Sequence, residues 1–132
     1  IYPDFIKDNQ FIEFTDSKGD TNIYRVYAVA LLNDDQNASF MDTYTSEEQS
    51  RYIKQSKRES MYDIDVDVKE DDLMLTLFTC TRFYGASNSY SFRVDARKLR
   101  EGEDKIYAKV KTNENYEKIK ERMEEGESNE KA

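Results

Sequence analysis

The sequence predicts a mostly β fold with one helix inserted between strands and a second helix near the end. Several segments alternate apolar and polar residues with a period of two, and turn-forming residues separate them. Hydrophobic residues, among them 10 Tyr and 7 Phe, make up 37% of the 132-residue chain. This is enough apolar surface for one core, and the length is typical of one domain.

The first third of the chain predicts a short helical turn followed by a β-hairpin. Residues 1–9 favour a turn or a single turn of helix, and residues 10–15 alternate as a strand does. A turn is expected at 16–20, where Gly19 can take a positive φ. A second strand rich in β-branched and aromatic residues spans 22–32.

A surface helix is expected next, after a polar loop at 33–37. Thr45 or Ser46 is a candidate helix cap, and two glutamates follow in the first turn, where the helix dipole favours acids. The helix should end near Lys57. Tyr52 and the isoleucine after it are its main apolar residues, so the helix should lie across a larger structure.

Residues 63–68 alternate Asp with Ile or Val and predict a strand with its apolar side chains facing inward. The alternative is a calcium-binding loop of the EF-hand type, which needs Gly at its sixth position and Glu at its twelfth. Val68 and Met74 stand at those positions, so the strand is preferred.

Residues 73–80 form the most apolar run and predict a central strand buried on both faces. A loop at 81–89 precedes another alternating strand at 90–97. In that strand Phe92, Val94 and Ala96 should face inward, while Ser91, Arg93, Asp95 and Arg97 should face outward.

Three regions are expected along the chain. Residues 1–100 form the main β structure, residues 101–125 a strand and helix appendage, and residues 126–132 a disordered acidic tail. Within the appendage the apolar residues of 106–110 predict a short strand, and 113–125 predicts a charged helix.

Charge and composition exclude several classes of function. The net charge of −8 makes binding to nucleic acid phosphates a poor fit. No apolar run approaches the roughly 20 residues of a membrane span, and no signal-peptide core is present at the start. The chain contains no His, which excludes a Ser-His-Asp triad, a Cys-His dyad and a His-ligated zinc within these residues.

The only cysteine, Cys80, is the candidate catalytic residue. It ends the apolar strand, and a rigid strand end can present a nucleophile. Arg93 on the following strand could stabilise a thiolate or an oxyanion. The alternative is that Cys80 is a small buried side chain of the core. No cofactor or metal is expected.

Residues 76–80 (Thr-Leu-Phe-Thr-Cys) resemble the Thr-Leu-x-Thr-Cys signature of sortases, the cysteine transpeptidases of Gram-positive cell surfaces. The surrounding order of segments resembles class B sortases in particular. Similar segments are 2–5 (Tyr-Pro-Asp-Phe), 11–15 (Phe-Ile-Glu-Phe-Thr), 24–28 (Tyr-Arg-Val-Tyr-Ala) and 57–62 (Lys-Arg-Glu-Ser-Met-Tyr).

The resemblance implies a partial sortase-like β-barrel and a covalent mechanism. Cys80 would be the nucleophile and Arg93 the oxyanion stabiliser or substrate clamp, while Phe78, Thr79 and Thr81 would line the substrate groove. The partners would be the sorting-signal peptide of a surface protein and an amine of the cell wall or a pilin. The location would be the outer face of a Gram-positive membrane.

The similarity covers roughly residues 2–100, and the chain departs from the family in three respects. Residues 101–132 extend beyond the usual end of the family as a helical appendage. The family's catalytic histidine would precede Ile1, so we expect a C-terminal portion that lacks this histidine and the membrane anchor and is inactive alone. A second alignment of the strand places Ser91 rather than Arg93 at the arginine position, and Arg82 is a weaker rival.

Two other functions stay open. The chain could be a sortase-like module that has lost catalysis and serves in binding or structure at the cell surface. It could also be an unrelated small β-barrel with an inert, buried Cys80. If strands are missing from the barrel, exposed strand edges should favour self-association.

Overall fold

The computed structural model describes residues 3–33, 45–81 and 90–121, with the backbone alone at 33, 80, 81 and 90. Arg82, most of the loop expected at 81–89 and the expected tail at 126–132 lie outside the described residues. In chain order the elements are α1 (Pro3–Asp8), β1 (Phe11–Thr15), β2 (Thr21–Asn33), α2 (Ser46–Glu59), β3 (Tyr62–Ile64), β4 (Met74–Thr81), β5 (Tyr90–Lys98) and β6 (Val110–Thr112).

Four of the strands form one antiparallel sheet in the order β1-β2-β5-β4, and β3 pairs with β6 in a separate two-stranded ribbon. Residues 114–121 are helical after β6. None of the described helices has the length and apolar composition that a membrane span requires.

The β1–β2 hairpin is closed by the turn that the sequence predicts. Asp16 Oδ1 accepts hydrogen bonds from the backbone N–H of Lys18 (2.9 Å) and of Asp20 (3.0 Å). Gly19 has φ +87°, a conformation that is costly for a residue with a Cβ.

Helix α2 begins with a capping box at Thr45. The Thr45 hydroxyl accepts from Glu48 N (3.2 Å), and the Glu48 carboxylate accepts from Thr45 N (3.1 Å). Lys57 and Arg58 lie in the last turn, where cations complement the helix dipole. The helix buries Ile53 and Ser56, so it lies on the sheet as the sequence predicts.

The apolar core joins the sheet to the segment after α2. Its largest members include Tyr27 from β2 and Phe92 from β5, together with Met61 and Tyr62. Half-buried Tyr116 and Ile119 from the C-terminal helical segment pack against this core. The residues after position 100 are therefore part of the packed structure.

Polar side chains also anchor this C-terminal segment. Buried Gln10 donates to Ala108 O (2.9 Å) and accepts from Ala108 N (2.7 Å). Glu103 accepts hydrogen bonds from Arg97 on β5 and from Arg25 on β2. The segment is thus fixed to the sheet upstream of the β3–β6 pairing.

The prediction that 73–80 is a central strand is wrong within the described chain. Strand β4 lies at the edge of the four-stranded sheet, while β2 and β5 are central. Phe78 is 44% exposed and Leu73, just before the strand, is 63% exposed. Apolar composition predicted a strand correctly, but it does not specify the strand's position in the sheet.

Two other strands differ from their predicted bounds. Only Tyr62–Ile64 pairs as β3, because Val66 N bonds back to Ile64 O (2.8 Å) and turns the chain. Ile64 and Val66 are nevertheless buried, as the alternation predicts. The strand expected at 106–110 occurs instead at Val110–Thr112, and Ile106 is 66% exposed.

Candidate active site

The register of β4 and β5 brings all five sequence-predicted site residues to one end of the sheet. Cys80 is opposite Ser91, and Phe78 is opposite Arg93. Arg93 is therefore the diagonal neighbour of Cys80, at a typical backbone separation of about 7–8 Å. Thr79 and Thr81 flank Cys80 along the same strand.

The end of helix α2 contacts β5 near the register position of Cys80. Glu59, the last residue of α2, has Oε2 at 3.6 Å from Arg93 Nη1. Cys80 is two residues further along β4 than the partner of Arg93. Phe78 and Thr79 are exposed just before it, so an incoming chain can contact this end of β4.

The prediction that Arg93, Asp95 and Arg97 face solvent is wrong. Their exposed fractions are 4%, 1% and 1%. Alternation correctly places them on one face of β5, opposite Phe92 and Ala96. Helix α2 and acidic partners cover this face, which periodicity alone could not reveal.

Arg93 is held by acidic and aromatic neighbours. Its Nε donates to Asp95 Oδ2 (2.8 Å), and the guanidinium lies over the Tyr52 ring at 5.7 Å from the centroid. Burial alone would lower the pKa of Arg93, but Asp95, Tyr52 and Glu59 outweigh it and raise that pKa. Arg93 is therefore a permanent cation.

Asp95 is a site residue that the sequence analysis missed. Its Oδ1 accepts from the Tyr52 hydroxyl (2.5 Å) and from the Thr76 hydroxyl (2.9 Å), while Oδ2 accepts from Arg93. Burial and the Asp95 carboxylate raise the pKa of Tyr52, which keeps its proton for this bond. The signal in the sequence that could have revealed it was the row of charged residues Arg93, Asp95 and Arg97, which alternate with apolar residues along one strand.

The charges around Arg93 decide what it can do chemically. Two carboxylates, those of Asp95 and Glu59, lie within 4 Å of one guanidinium, so the group carries no net positive charge. Arg93 Nη2 is buried and has no hydrogen-bond partner among the described residues. Nη2 therefore keeps a hydrogen-bond donor for an oxygen that comes within its reach.

The sequence matches no protein-family model and no curated protein. Solved structures with the same fold are sortase B from Clostridium perfringens (TM-score 0.63, 22% identity) and from Staphylococcus aureus (0.62, 23%). A third is a Bacillus anthracis protein described as similar to sortase B (0.59, 19%).

These alignments cover 74%, 75% and 74% of this chain but 52%, 46% and 42% of the respective sortase B chains. The chain thus spans about half the length of the structures it resembles. The predicted mostly β, sortase-like fold with an inserted helix is confirmed, and at these identities the likeness concerns the fold.

Proposed function

We propose that this chain carries the nucleophile of a sortase-type cysteine transpeptidase, with Cys80 as that nucleophile. The observation that carries the proposal is the position of Cys80. It is the penultimate residue of β4 and closes a Thr-Leu-Phe-Thr-Cys run, on a sheet with the sortase B fold. Phe78, Thr79 and Thr81 are proposed to contact the substrate on either side of it.

The proposed chemistry is acyl transfer through a thioester. The Cys80 thiolate attacks the carbonyl carbon of the scissile bond in a sorting signal, and a negative charge develops on the carbonyl oxygen. Collapse of this intermediate breaks the C–N bond, and the leaving amine takes up a proton. An incoming amine then attacks the thioester and releases the thiol.

Arg93 is proposed to stabilise the oxyanion or to clamp the substrate. Its unpartnered Nη2 supports this role, because an aligned donor stabilises the charge that develops on the carbonyl oxygen. The diagonal position relative to Cys80 is within the reach of an arginine side chain.

The chain by itself should be inactive or nearly so. None of its 132 residues is a histidine, so the leaving amine has no general acid of that type. Loss of a general acid typically costs about 10²–10⁴-fold in rate. A histidine would have to come from residues outside this sequence.

The proposed partners follow from the same reaction. Structures of sortase B with this fold include complexes with a substrate and with triglycine. For this chain we propose a sorting-signal peptide as acyl donor and an amine of the cell wall or a pilin as acceptor. The proposed location is the surface of a Gram-positive cell.

A non-catalytic sortase-like module is the second candidate function. The absence of histidine from the sequence favours it, as does the engagement of Arg93 with two carboxylates. Such a module would serve in binding or structure at the cell surface and would not need a reactive thiol.

An ester substrate tests the reactivity of Cys80 without requiring a general acid. We would incubate the chain with an acetylated peptide ending in threonine p-nitrophenyl ester, and with the matched Thr–Gly amide. The ester's leaving group departs without a proton, so Cys80 should gain the acyl mass from the ester and not from the amide. Arg93→Ala should slow this acylation about 10²-fold.

Because Cys80 is the only cysteine, Cys80→Ser removes every thiol and serves as the control for acylation at other residues in intact-mass measurements. An ester ending in alanine and the urea-unfolded chain control for non-specific thiol reactivity. Rapid turnover of the amide would contradict the predicted inactivity. A folded chain whose Cys80 is no more reactive than the unfolded one would favour the non-catalytic module.

A further inference from the structure

The side chain of Arg93 is held by more contacts than a single ion pair on its own strand. Asp95 is two residues away on β5, so both side chains lie on the same face of the sheet. The Nε–Oδ2 hydrogen bond of 2.8 Å ties the guanidinium to Asp95.

Two further elements fix Asp95 itself. Tyr52 on α2 and Thr76 on β4 both donate to Oδ1, at 2.5 Å and 2.9 Å. Arg93 therefore depends on a carboxylate that is bonded from three elements, namely α2, β4 and β5. Rotation of this carboxylate would break three hydrogen bonds at once.

The second carboxylate near Arg93 makes a different kind of contact. Glu59 Oε2 is 3.6 Å from Nη1, which is too long for a hydrogen bond, and the Glu59 side chain is 22% exposed. Asp95 therefore supplies both charge and direction, whereas Glu59 supplies mainly charge.

We propose that Asp95 is a positioning residue that holds Arg93 with Nη2 as a directed hydrogen-bond donor for an oxygen at the Cys80 end of β4. The inference rests on the proposed function, because it assigns Arg93 to the same site. Asp95 acts through Arg93 and does not itself contact the substrate. Tyr52 supports it by tying the carboxylate to α2.

The test compares alkylation of Cys80 by iodoacetate with alkylation by iodoacetamide. The two reagents react by the same displacement of iodide by the thiolate, but only iodoacetate carries an oxyanion that Nη2 can bind. The ratio of the two rates cancels the pKa of the thiol. The reference is the ratio for the same chain unfolded in urea.

Three variants distinguish the positioning of Arg93 by Asp95 from the effect of the carboxylate's charge. Asp95→Asn and Asp95→Ala remove the same charge, but only asparagine keeps an acceptor for Arg93 Nε. Glu59→Gln removes an equal charge from the carboxylate near Arg93 Nη1. The wild-type ratio should exceed the unfolded reference, and Asp95→Ala should lower it about tenfold, as expected for one lost charge-assisted bond. Asp95→Asn and Glu59→Gln should keep the ratio at or above the wild-type value.

Equal ratios for Asp95→Ala and Asp95→Asn would overturn the inference, as would a wild-type ratio no higher than the reference. If Asp95→Ala fails to fold, Tyr52→Phe serves instead. It removes one donor to Asp95 at constant charge and should lower the ratio part of the way, while an unchanged ratio would refute the proposal. Failure of the ester to acylate Cys80 would count against the proposed function alone, because the alkylation ratio does not depend on it.

Discussion

Glu103 joins two strands of the sheet through one carboxylate. Its Oε1 accepts from Arg97 Nη1 (2.7 Å), and its Oε2 accepts from Arg97 Nη2 and from Arg25 Nη1, both at 2.8 Å. The hydrogen bonds from Arg97 are the main reason that the pKa of Glu103 lies well below its usual range. A carboxyl with a lower pKa in the folded state stabilises the fold above its unfolded pKa of about 4.3.

Replacing Glu103 with glutamine should therefore give a pH-dependent loss of stability. At pH 7 the free energy of unfolding should fall by about 1–3 kcal/mol, the usual range for bonds to charged groups. The difference from wild type should shrink as the pH falls below about 4, because the Glu103 carboxyl of the unfolded chain then takes up a proton while the folded carboxylate stays ionised.

Urea unfolding at pH 7, 5 and 3 measures this difference. Glu101→Gln is the matched control, because Glu101 is exposed two residues away and should change little. A difference between wild type and Glu103→Gln that stays constant over this range would contradict the assigned role of the carboxylate.

The sequence correctly identified Cys80 as a strand-end residue, but it could not anticipate how Arg93, Asp95 and Arg97 are buried. Alternation along β5 shows which residues share a face. It does not show that α2, which ends about thirty residues before β5 begins, covers that face with Tyr52 and Glu59. The acid that orients Arg93 could be found only when the pairing of distant elements was known.

At the scale of elements, the segment before β6 is anchored by one buried side chain, which comes from the residue that precedes β1. Gln10 is 1% exposed and bonds both the N–H and the carbonyl of Ala108. The Gln10 amide thus makes the two hydrogen bonds that a neighbouring strand would otherwise make with Ala108, which lies just before β6. Loss of this amide would leave two backbone groups without partners.

We expect Gln10→Ala to loosen the β6 region selectively. The free energy of unfolding should fall by about 1–3 kcal/mol, and the Ala108 amide should exchange with solvent much faster. Hydrogen exchange measured by NMR gives both quantities. Asn9→Ala is the control, because Asn9 is exposed and its amide donates to Phe5 O, four residues before it. Unchanged protection of Ala108 would refute the anchoring role.

Local sequence signals predicted most elements but not the pairing of β3 with β6. The cap at Thr45, the turn at Gly19 and the alternation at 90–97 each depend on neighbouring residues. The β3–β6 ribbon pairs three-residue strands that are far apart in sequence, with Tyr62 opposite Thr112. Strands this short carry too few alternating residues to be located from periodicity.

At the scale of the whole molecule, the outer side of β4 is an edge of the sheet in the described chain. Exposed Phe78, with Leu73 just before the strand, makes this edge apolar. Unpaired backbone groups beside apolar side chains favour pairing with another chain. The net charge of −8 opposes such association, and salt screens that repulsion.

The chain should therefore self-associate with increasing concentration, and more strongly at about 0.5 M NaCl than at low salt. Sedimentation velocity over a concentration series measures this. Thr79→Lys places a positive charge on exposed β4 and should reduce association, whereas Gln55→Lys adds the same charge on exposed α2 and should not. A compact monomer at every concentration and salt level would contradict an accessible edge.

The bond between Gln10 and Ala108 also constrains the order of events during synthesis. The two residues are 98 positions apart, so the side chain that closes this contact leaves the ribosome long before its partner. The β1–β2 hairpin can form from local contacts while Gln10 is still hydrated. Contacts of such long sequence separation form late because they close a large loop. This contact thus waits for a residue that is translated 98 positions after Gln10.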